Sequence, residues 1–280
     1  SKYTDEDLSV VASVNYAWSE SLSAYARFAQ GYKSGGLNLD RSALGQQPGD
    51  PTSDPKAPIF DPESVDSFEI GFKARVLENT LQLTGALFYQ EMTDFQFQEL
   101  NDVGFIVQNA AQVIGQGFEL DYLWRPGVHW QVSGGLTVQD IQYHDFSTGP
   151  VNFSQALAGE QFQDLDGEPV IYTSDVSVAG AVSYTDVLSG GLSWTAGTSY
   201  SYRTEYQTDQ SNEPIIEQGN ALLVNVFFTL ESNDNWAVDL WGKNITDEEV
   251  YTVGFATPFQ FGSFGAYLNA PPSYGLSARL

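Results

Sequence analysis

The amino-acid sequence predicts an all-β fold, a transmembrane antiparallel β-barrel, on three observations. The first is alternation: in Phe68-Glu69-Ile70-Gly71-Phe72-Lys73-Ala74-Arg75-Val76 the even positions are mostly large and apolar, and the odd ones are Glu, Gly, Lys and Arg. After Leu77-Glu78-Asn79, the stretch Leu81 to Gln90 alternates again with apolar residues on odd positions, the parity switch that a tight hairpin needs. The second is the polarity of the two faces. Glu69, Lys73 and Arg75 are too charged for a sandwich core, while Phe68, Ile70, Phe72, Leu81, Leu83 and Leu87 are too continuous for water. Strands of that kind put lipid outside and a wet or plugged lumen inside. The third is the spacing of the turns, short and then generally longer, which is how bacterial barrels distribute periplasmic turns and extracellular loops.

In chain order the pattern gives about eleven strands. The first runs from Leu8 to Trp18, with Val10, Ala12, Val14, Tyr16 and Trp18 on one face. The second, Leu22 to Lys33, turns Leu22, Ala24, Ala26 and Phe28 to lipid and Tyr25 and Arg27 inward. Residues 34–62, rich in Gly, Pro and Asp, form a long loop. The hairpin between Glu63 and Phe97 supplies two strands, and residues 98–103 are the one short member of the long-loop set. A fifth strand ends in Gly117 to Trp124, with Glu119 and Asp121 inward. A sixth sets Val128, Trp130, Val132, Leu136 and Val138 against His129, Gln131, Ser133 and Gln139.

The loop Asp145 to Pro169 precedes a strand from Val170 to Tyr184, and a short turn near 186–190 leads to Leu192 through Arg203. The loop Thr208 to Gln218 precedes Leu222 to Leu230; after a turn at 232–235, Trp236, Val238 and Leu240 oppose Asp239, Trp241 and Lys243. The loop Tyr251 to Pro271 leads to a last strand, Ser273 to Leu280. Trp18, Trp124, Trp130, Trp194 and Trp236 fall near short-turn ends, where an interfacial girdle belongs.

Composition sets the limits of function. The 280 residues include no cysteine, which excludes disulfides and thiolate metal sites. Thirty-six acidic against 11 basic residues leave a net charge of -25, which argues against nucleic-acid binding. No run approaches the roughly 18 apolar residues of a transmembrane helix, a test to which a barrel is blind. The chain starts at Ser1 without a charged and apolar leader, so either a signal has been removed or the start is internal.

Residues that face inward divide by height. Glu69, Lys73, Arg75, Glu119, Asp121, Asp239 and Lys243 lie toward the short-turn ends, where opposite charges across the wall can simply solvate a lumen. Arg27, Gln90, Gln139, Tyr143 and Arg203 take the inward parity nearer the long loops, where a ligand is first held. Their guanidinium groups and amides suit an anionic chelate or a sugar alike. The aromatic loop Val253 to Phe264, with Phe259 and Phe264, is either a lid over ligand or a packed loop cluster. Asp164-Leu165-Asp166-Gly167-Glu168 resembles half of a calcium loop, but its spacing stops before a full ligand set and a plain turn is expected. The G-x-G at Gly115 sits in a strand with no helix after it, so dinucleotide binding is set aside. His129 and His144 are the only histidines, no Ser/His/Asp set or HExxH is visible, and catalysis is not expected.

Several stretches resemble one family, the TonB-dependent outer-membrane receptors. Tyr25-Ala26-Arg27 through Gly31-Tyr32-Lys33-Ser34-Gly35-Gly36 resembles its "YA...GYKSGG" strand and loop start. Phe60-Asp61-Pro62-Glu63 through Glu69-Ile70-Gly71-Phe72-Lys73 resembles its "F.PE....E.G.K" hairpin, and Gly115-Gln116-Gly117-Phe118-Glu119 its "G.G.E" strand. Gly242-Lys243-Asn244-Ile245-Thr246-Asp247 and Pro271-Pro272-Ser273-Tyr274-Gly275-Leu276 resemble the segments near the family's carboxyl end, though Leu280 stands where a terminal aromatic is usual. The order and spacing of these motifs cover nearly the whole chain.

The resemblance implies a barrel of about 22 strands around an amino-terminal plug, of which residues 1–280 are the carboxyl-terminal half. Nothing in the chain resembles the plug or the short TonB-contacting box. Eleven strands cannot close alone, so the edges near Val10–Trp18 and Ser273–Leu280 are expected to pair with a missing or separate half. The resemblance also implies that some of Glu69, Lys73, Arg75, Glu119 and Asp121 hold the plug by ion pairs. The expected place is the outer membrane of a Gram-negative bacterium, among lipid and lipopolysaccharide. The expected function is energy-coupled uptake of a small-molecule ligand through the TonB complex, a ferric siderophore first and a cobalamin or glycan next. No cofactor and no nucleic acid are implied. A passive, cation-preferring porin and a membrane-bound barrel lipase or protease are the readings from other classes.

Overall fold

A strand's amide groups point sideways in the plane of its sheet, so each strand needs a neighbour on either side. In the computed structural model, which describes residues 6–39, 59–101, 104–233, 236–257 and 260–280, the chain meets that need almost entirely through sequence neighbours. Its elements are β1 (Val10–Ser19), β2 (Leu22–Lys33), β3 (Gly36–Leu37), β4 (Ile59–Phe60), β5 (Glu63–Val76), β6 (Leu81–Asn101), β7 (Gly104–Trp124), β8 (Trp130–His144), α1 (Phe153–Ala158), β9 (Val176–Val187), β10 (Leu192–Arg203), a 3-10 turn (Pro214–Ile216), β11 (Ala221–Ser232), β12 (Trp236–Lys243), β13 (Tyr251–Ala256), β14 (Phe264–Leu268) and β15 (Ser273–Arg279). Eleven of the strands form one antiparallel sheet in the order β1-β2-β5-β6-β7-β8-β9-β10-β11-β12-β15, and the pairs β3-β4 and β13-β14 stand outside it.

The register confirms the parity argument. Across β5 and β6, Phe68 faces Tyr89, Ile70 faces Leu87 and Ala74 faces Leu83, so the apolar sets share one side. The turn between them puts Leu77, Glu78 and Asn79 in the left-handed region, at φ 51°, 56° and 67°. Outward residues Val14, Ile70, Leu87, Leu240 and Leu276 are all exposed, which leaves a continuous apolar band for lipid. On the same side Trp130, Tyr184, Trp194 and Phe228 run ring to ring at 4.8, 5.3 and 6.0 Å, the expected girdle at the short-turn level.

The sheet does not close. Its edges are β1 and β15, and β1 is exposed at every position. In hydrocarbon each unpaired amide group costs several kcal/mol, so such edges demand partners.

Three expectations change. Residues 98–101 are strand and not loop, because pairing of β6 with β7 continues to Asn101 opposite Gly104. These strands are 21 residues each, about 70 Å at the usual rise, more than twice what a bilayer needs. The strand expected from Val170 starts at Val176, since Pro169 makes only an isolated bridge to Gln142 and Val170 turns into a buried cluster. The segment Tyr251 to Pro271, expected as loop, contains the β13-β14 hairpin.

A single-layer wall has no interior of its own. The buried core lies instead beyond the long-loop ends, where Phe97, Ala110, Val113, Tyr143, Phe146, Leu165 and Val170 pack together with Met92, Phe95 and Ile141.

Candidate functional site

The inward face of the wall falls into three panels. In the first, one row across the strands reads Arg27, Glu69, Phe88, Gly117 and Gln139. Lower rows bring Tyr25, Gly71 and Glu119, then Ser23, Lys73 and Asp121, into the same panel. The Tyr25 ring lies over Gly71 and that of Phe88 over Gly117, where an added Cβ would meet them at 2.5 and 2.7 Å. Glycine is a packing requirement at Gly117, where an added Cβ would also meet the Val138 carbonyl oxygen at 2.5 Å, while at Gly71 the Tyr25 ring would have to swing away. Arg75 and Gln82, with Ser19, Glu20, Ser21 and Asn79, line a polar recess at the short-turn end. Among the described residues the ion pair of a permanently charged base is Arg279–Asp239 at 3.4 Å, while the His129 and His144 rings lie 3.6 and 3.8 Å from the Asp186 and Asp166 carboxylates. Glu69, Lys73, Arg75, Glu119 and Asp121 share a panel without being among these contacts.

The second panel, on β8 to β10, is small and smooth: Gly135, Thr137, Ser177, Ala179, Ala181, Ser199 and Ser201. The third, on β11 to β15, is a bonded network. Thr229 donates to Asp239 at 2.7 Å, Arg279 pairs with the same carboxylate, Trp241 Nε1 donates to Ser277 at 3.2 Å, and the Lys243 ammonium lies 5.3 Å from the Trp241 ring centre.

Above the panels, the loops after β8, β10 and β12 lock into a cap. Arg203 Nη2 donates to the Tyr172 carbonyl at 2.8 Å while its guanidinium sits 4.6 Å from the Tyr206 ring centre, so a long side chain is held ready in one pose. Burial pushes the hydroxyls of Tyr172 and Tyr206 up, Arg203 opposing it at Tyr206. Gln139 donates to the Ser174 carbonyl at 3.1 Å. Gln90 sits half-buried between Ser67 and Gly115. Tyr143 is fully buried, its hydroxyl donating to Gln210 at 3.1 Å, and burial pushes its pKa up. Phe264 packs edge-on against Phe153 of α1 at 5.9 Å, and Phe261 against the same ring at 5.0 Å. Phe259 lies outside the described residues. The Asp164–Glu168 segment is an ordered turn: Asp164 accepts from the Asp166 amide, and Asp166 from that of Asp145, both at 3.0 Å.

The residues that tie the cap together were not visible as such in the sequence. Buried Glu213 accepts from the amides of Phe153 at 2.8 Å and Ile215 at 3.3 Å. Gln163 donates to the Pro150 and Ser211 carbonyls, and Gln218 accepts from the Tyr251 amide at 2.5 Å. On the other side Gln96 reaches the carbonyls of Ser34 at 3.1 Å and Asp61 at 2.9 Å, and Asn38 bonds both backbone groups of Val107. The one local signal was Asn152-Phe153-Ser154-Gln155, a capping box that starts α1.

A family model described as "TonB dependent receptor-like, beta-barrel" matches residues 1–245. The pesticin receptor of Yersinia enterocolitica is 30% identical over 138 residues, which are 48% of this chain and 19% of the relative. The catecholate siderophore receptor Fiu of Escherichia coli is 30% identical over 149 residues, 50% of this chain and 18% of that protein. Among solved structures, the ferric yersiniabactin uptake receptor FyuA of Yersinia pestis superposes with a TM-score of 0.75 at 19% identity, covering 96% of this chain and 36% of that one. The matched stretch thus spans about a third of FyuA's chain and less than a fifth of each curated relative.

Proposed function

The chain belongs to the TonB-dependent receptor-like β-barrel family of the outer membrane, and from that membership we propose that it is part of an energy-coupled transporter for a ferric siderophore or a similarly scarce chelate. The observation that carries this reading is the one-sided sheet: an unbroken apolar outer face, a polar inner face, and two unpaired edges. Such edges make sense where residues 1–280 are the carboxyl-terminal part of a larger barrel whose other strands pair with β1 and β15. A folded cap beyond the polar inner face supplies a place to hold a ligand before it is moved.

In this reading Arg203, Gln139, Gln90 and Arg27, with Phe264 of the aromatic loop, approach the ligand, and Tyr143 supports them from the cap core. Glu69, Lys73, Arg75, Glu119 and Asp121 meet a plug, which provides the counter-charges that the wall leaves out. The TonB complex acts on that plug from below. A passive, cation-preferring porin is the second reading, favoured by the acidic loops.

The test is uptake of radiolabelled ferric chelates by cells that carry or lack the gene, with and without collapse of the proton-motive force. Gene-dependent uptake that stops on de-energising supports the transporter. Gene-dependent flux that continues, with steady ion conductance of the purified protein in planar bilayers, replaces it with the porin.

A further inference from the structure

The lipid side of the wall carries one charge in its middle. On β9, β10 and β11 the outward positions run from Val176 to Ser232 with no Lys or Arg and a single carboxylate, Asp186, at the short-turn end of β9. β9 lies between β8 and β10 inside the sheet, whose open edges are β1 and β15. Further barrel strands therefore join elsewhere, and what meets Asp186 from outside is the membrane.

The girdle rings stand around it. Trp194 is its direct cross-strand neighbour, Tyr184 precedes it on the same face, and Trp130 packs edge-on against Tyr184 at 4.8 Å. Trp194 and the His129 imidazole each lie 5.3 Å from the same Tyr184 ring. An interfacial belt needs such rings but no carboxylate, and an anion at the edge of hydrocarbon is costly unless something answers its charge. Within the protein the answer is incomplete. The Val187 amide donates to Oδ1 of Asp186 at 2.8 Å, whereas the Tyr184 hydroxyl reaches Oδ2 only at 3.4 Å. His129 Nδ1 lies 2.8 Å from the Thr185 carbonyl oxygen and directs its proton there, 3.6 Å from Oδ1. Oδ2 keeps room for a strong donor from outside, and the side chain is 41% exposed to receive one.

Charge complementarity selects among the headgroups that a bilayer offers at this level. An anionic headgroup is repelled by a carboxylate with no Lys or Arg on its face. A quaternary ammonium can rest on aromatic rings but has no hydrogen to donate. A primary ammonium can do both, and the indole N–H groups of Trp130 and Trp194 are donors suited to its phosphate and ester oxygens. We infer that Asp186, with Trp130, Tyr184 and Trp194, is a headgroup site for a phospholipid that carries a primary ammonium, on the outer side of the wall at its short-turn end. The site rests on the outer-membrane placement of the wall and not on what the receptor transports, so uptake measurements and lipid binding succeed or fail separately.

The test is native mass spectrometry of the full receptor, delipidated in detergent and titrated with phosphatidylethanolamine, phosphatidylcholine or phosphatidylglycerol of identical acyl chains. The first ethanolamine lipid is expected to bind at least about fivefold tighter than either of the others. Asp186→Asn, with the barrel's heat-modifiable mobility unchanged, is expected to reduce that preference to less than about twofold. Asp186→Ser carries the same expectation and replaces it should the first variant not fold. Choline lipid binding as tightly as ethanolamine lipid means that the rings select without the carboxylate. Glycerol lipid binding as tightly means that the charge of Asp186 selects nothing. A preference that survives in the Asp186 variants belongs to another part of the barrel. Each of these three results overturns the inference.

Discussion

Replacing Tyr143 separates the cap from the wall. The side chain is fully buried, with its ring 5.3 Å from Phe146 and 6.3 Å from Phe95, and its hydroxyl bonded to Gln210. Removing a buried aromatic costs about 3–5 kcal/mol, and losing only a hydroxyl bond about 1 kcal/mol. Tyr143→Ala should therefore loosen the cap by at least about 3 kcal/mol, and Tyr143→Phe by about a third of that. The penalty falls on local opening, because the wall is held by its own ladders. Hydrogen exchange reads it directly through the amides of Leu165, Gly167 and Val170, which bond Phe146, Tyr143 and Ile141 at 2.8, 2.9 and 3.1 Å. Their protection is expected to fall about a hundredfold or more in Tyr143→Ala and about tenfold or less in Tyr143→Phe, with β9 and β10 amides unchanged. Cap exchange within about threefold of the parent in the Ala variant would refute the packing argument. A Phe variant that keeps cap protection yet loses ligand affinity tenfold would make the hydroxyl a ligand contact.

Alkaline pH should reach the same cluster. Since burial raises the Tyr143 pKa above the ordinary 10.0, the unfolded cap loses its proton first, and the cap's stability is full below that value and falls as pH rises past it. Exchange of the Gly167 amide should accelerate above pH 10 beyond the intrinsic rate, and less so in Tyr143→Phe. On the lipid face, Ile70→Arg is expected to cost about 2–4 kcal/mol and Glu69→Leu, one residue away on the lumen face, much less, measured by urea unfolding from lipid vesicles; equal costs would contradict the assignment of faces. Gly117→Ala places its methyl 2.5 Å from the Val138 carbonyl oxygen, a backbone atom that cannot step aside. It should destabilise the wall by about 1–3 kcal/mol in the same assay. Glu213→Ala strands the amides of Phe153 and Ile215 and should expose the α1 loop to protease while heat-modifiable mobility is unchanged.

The number of wall strands, the two faces and the girdle were legible because a strand's side chains repeat every two residues. Ile70 beside Glu69 already tells which side is wet, and the 77–80 turn tells which way the next strand is counted. The same rule carried Arg27, Glu69, Glu119 and Asp121 to one inward panel, since neighbours in an antiparallel meander are neighbours in sequence. Parity could place Tyr143 inward but could not say that Phe146, Leu165 and Val170 would close over it. Loop segments have no period, and their contacts join distant positions: Tyr143 to Gln210, Arg203 to Tyr172, Gln163 to Ser211, Asn38 to Val107. The extension of β6 and β7 beyond the bilayer was hidden for a related reason. Phe97, Ala110 and Val113 of the extension pack into the buried cluster with Phe146, Leu165 and Val170, contacts that no sequence period announces. The sequence by itself thus determined the wall, whose order is local and periodic. Only the tertiary structure decided the cap, where single polar and aromatic side chains join loops that no repeat connects.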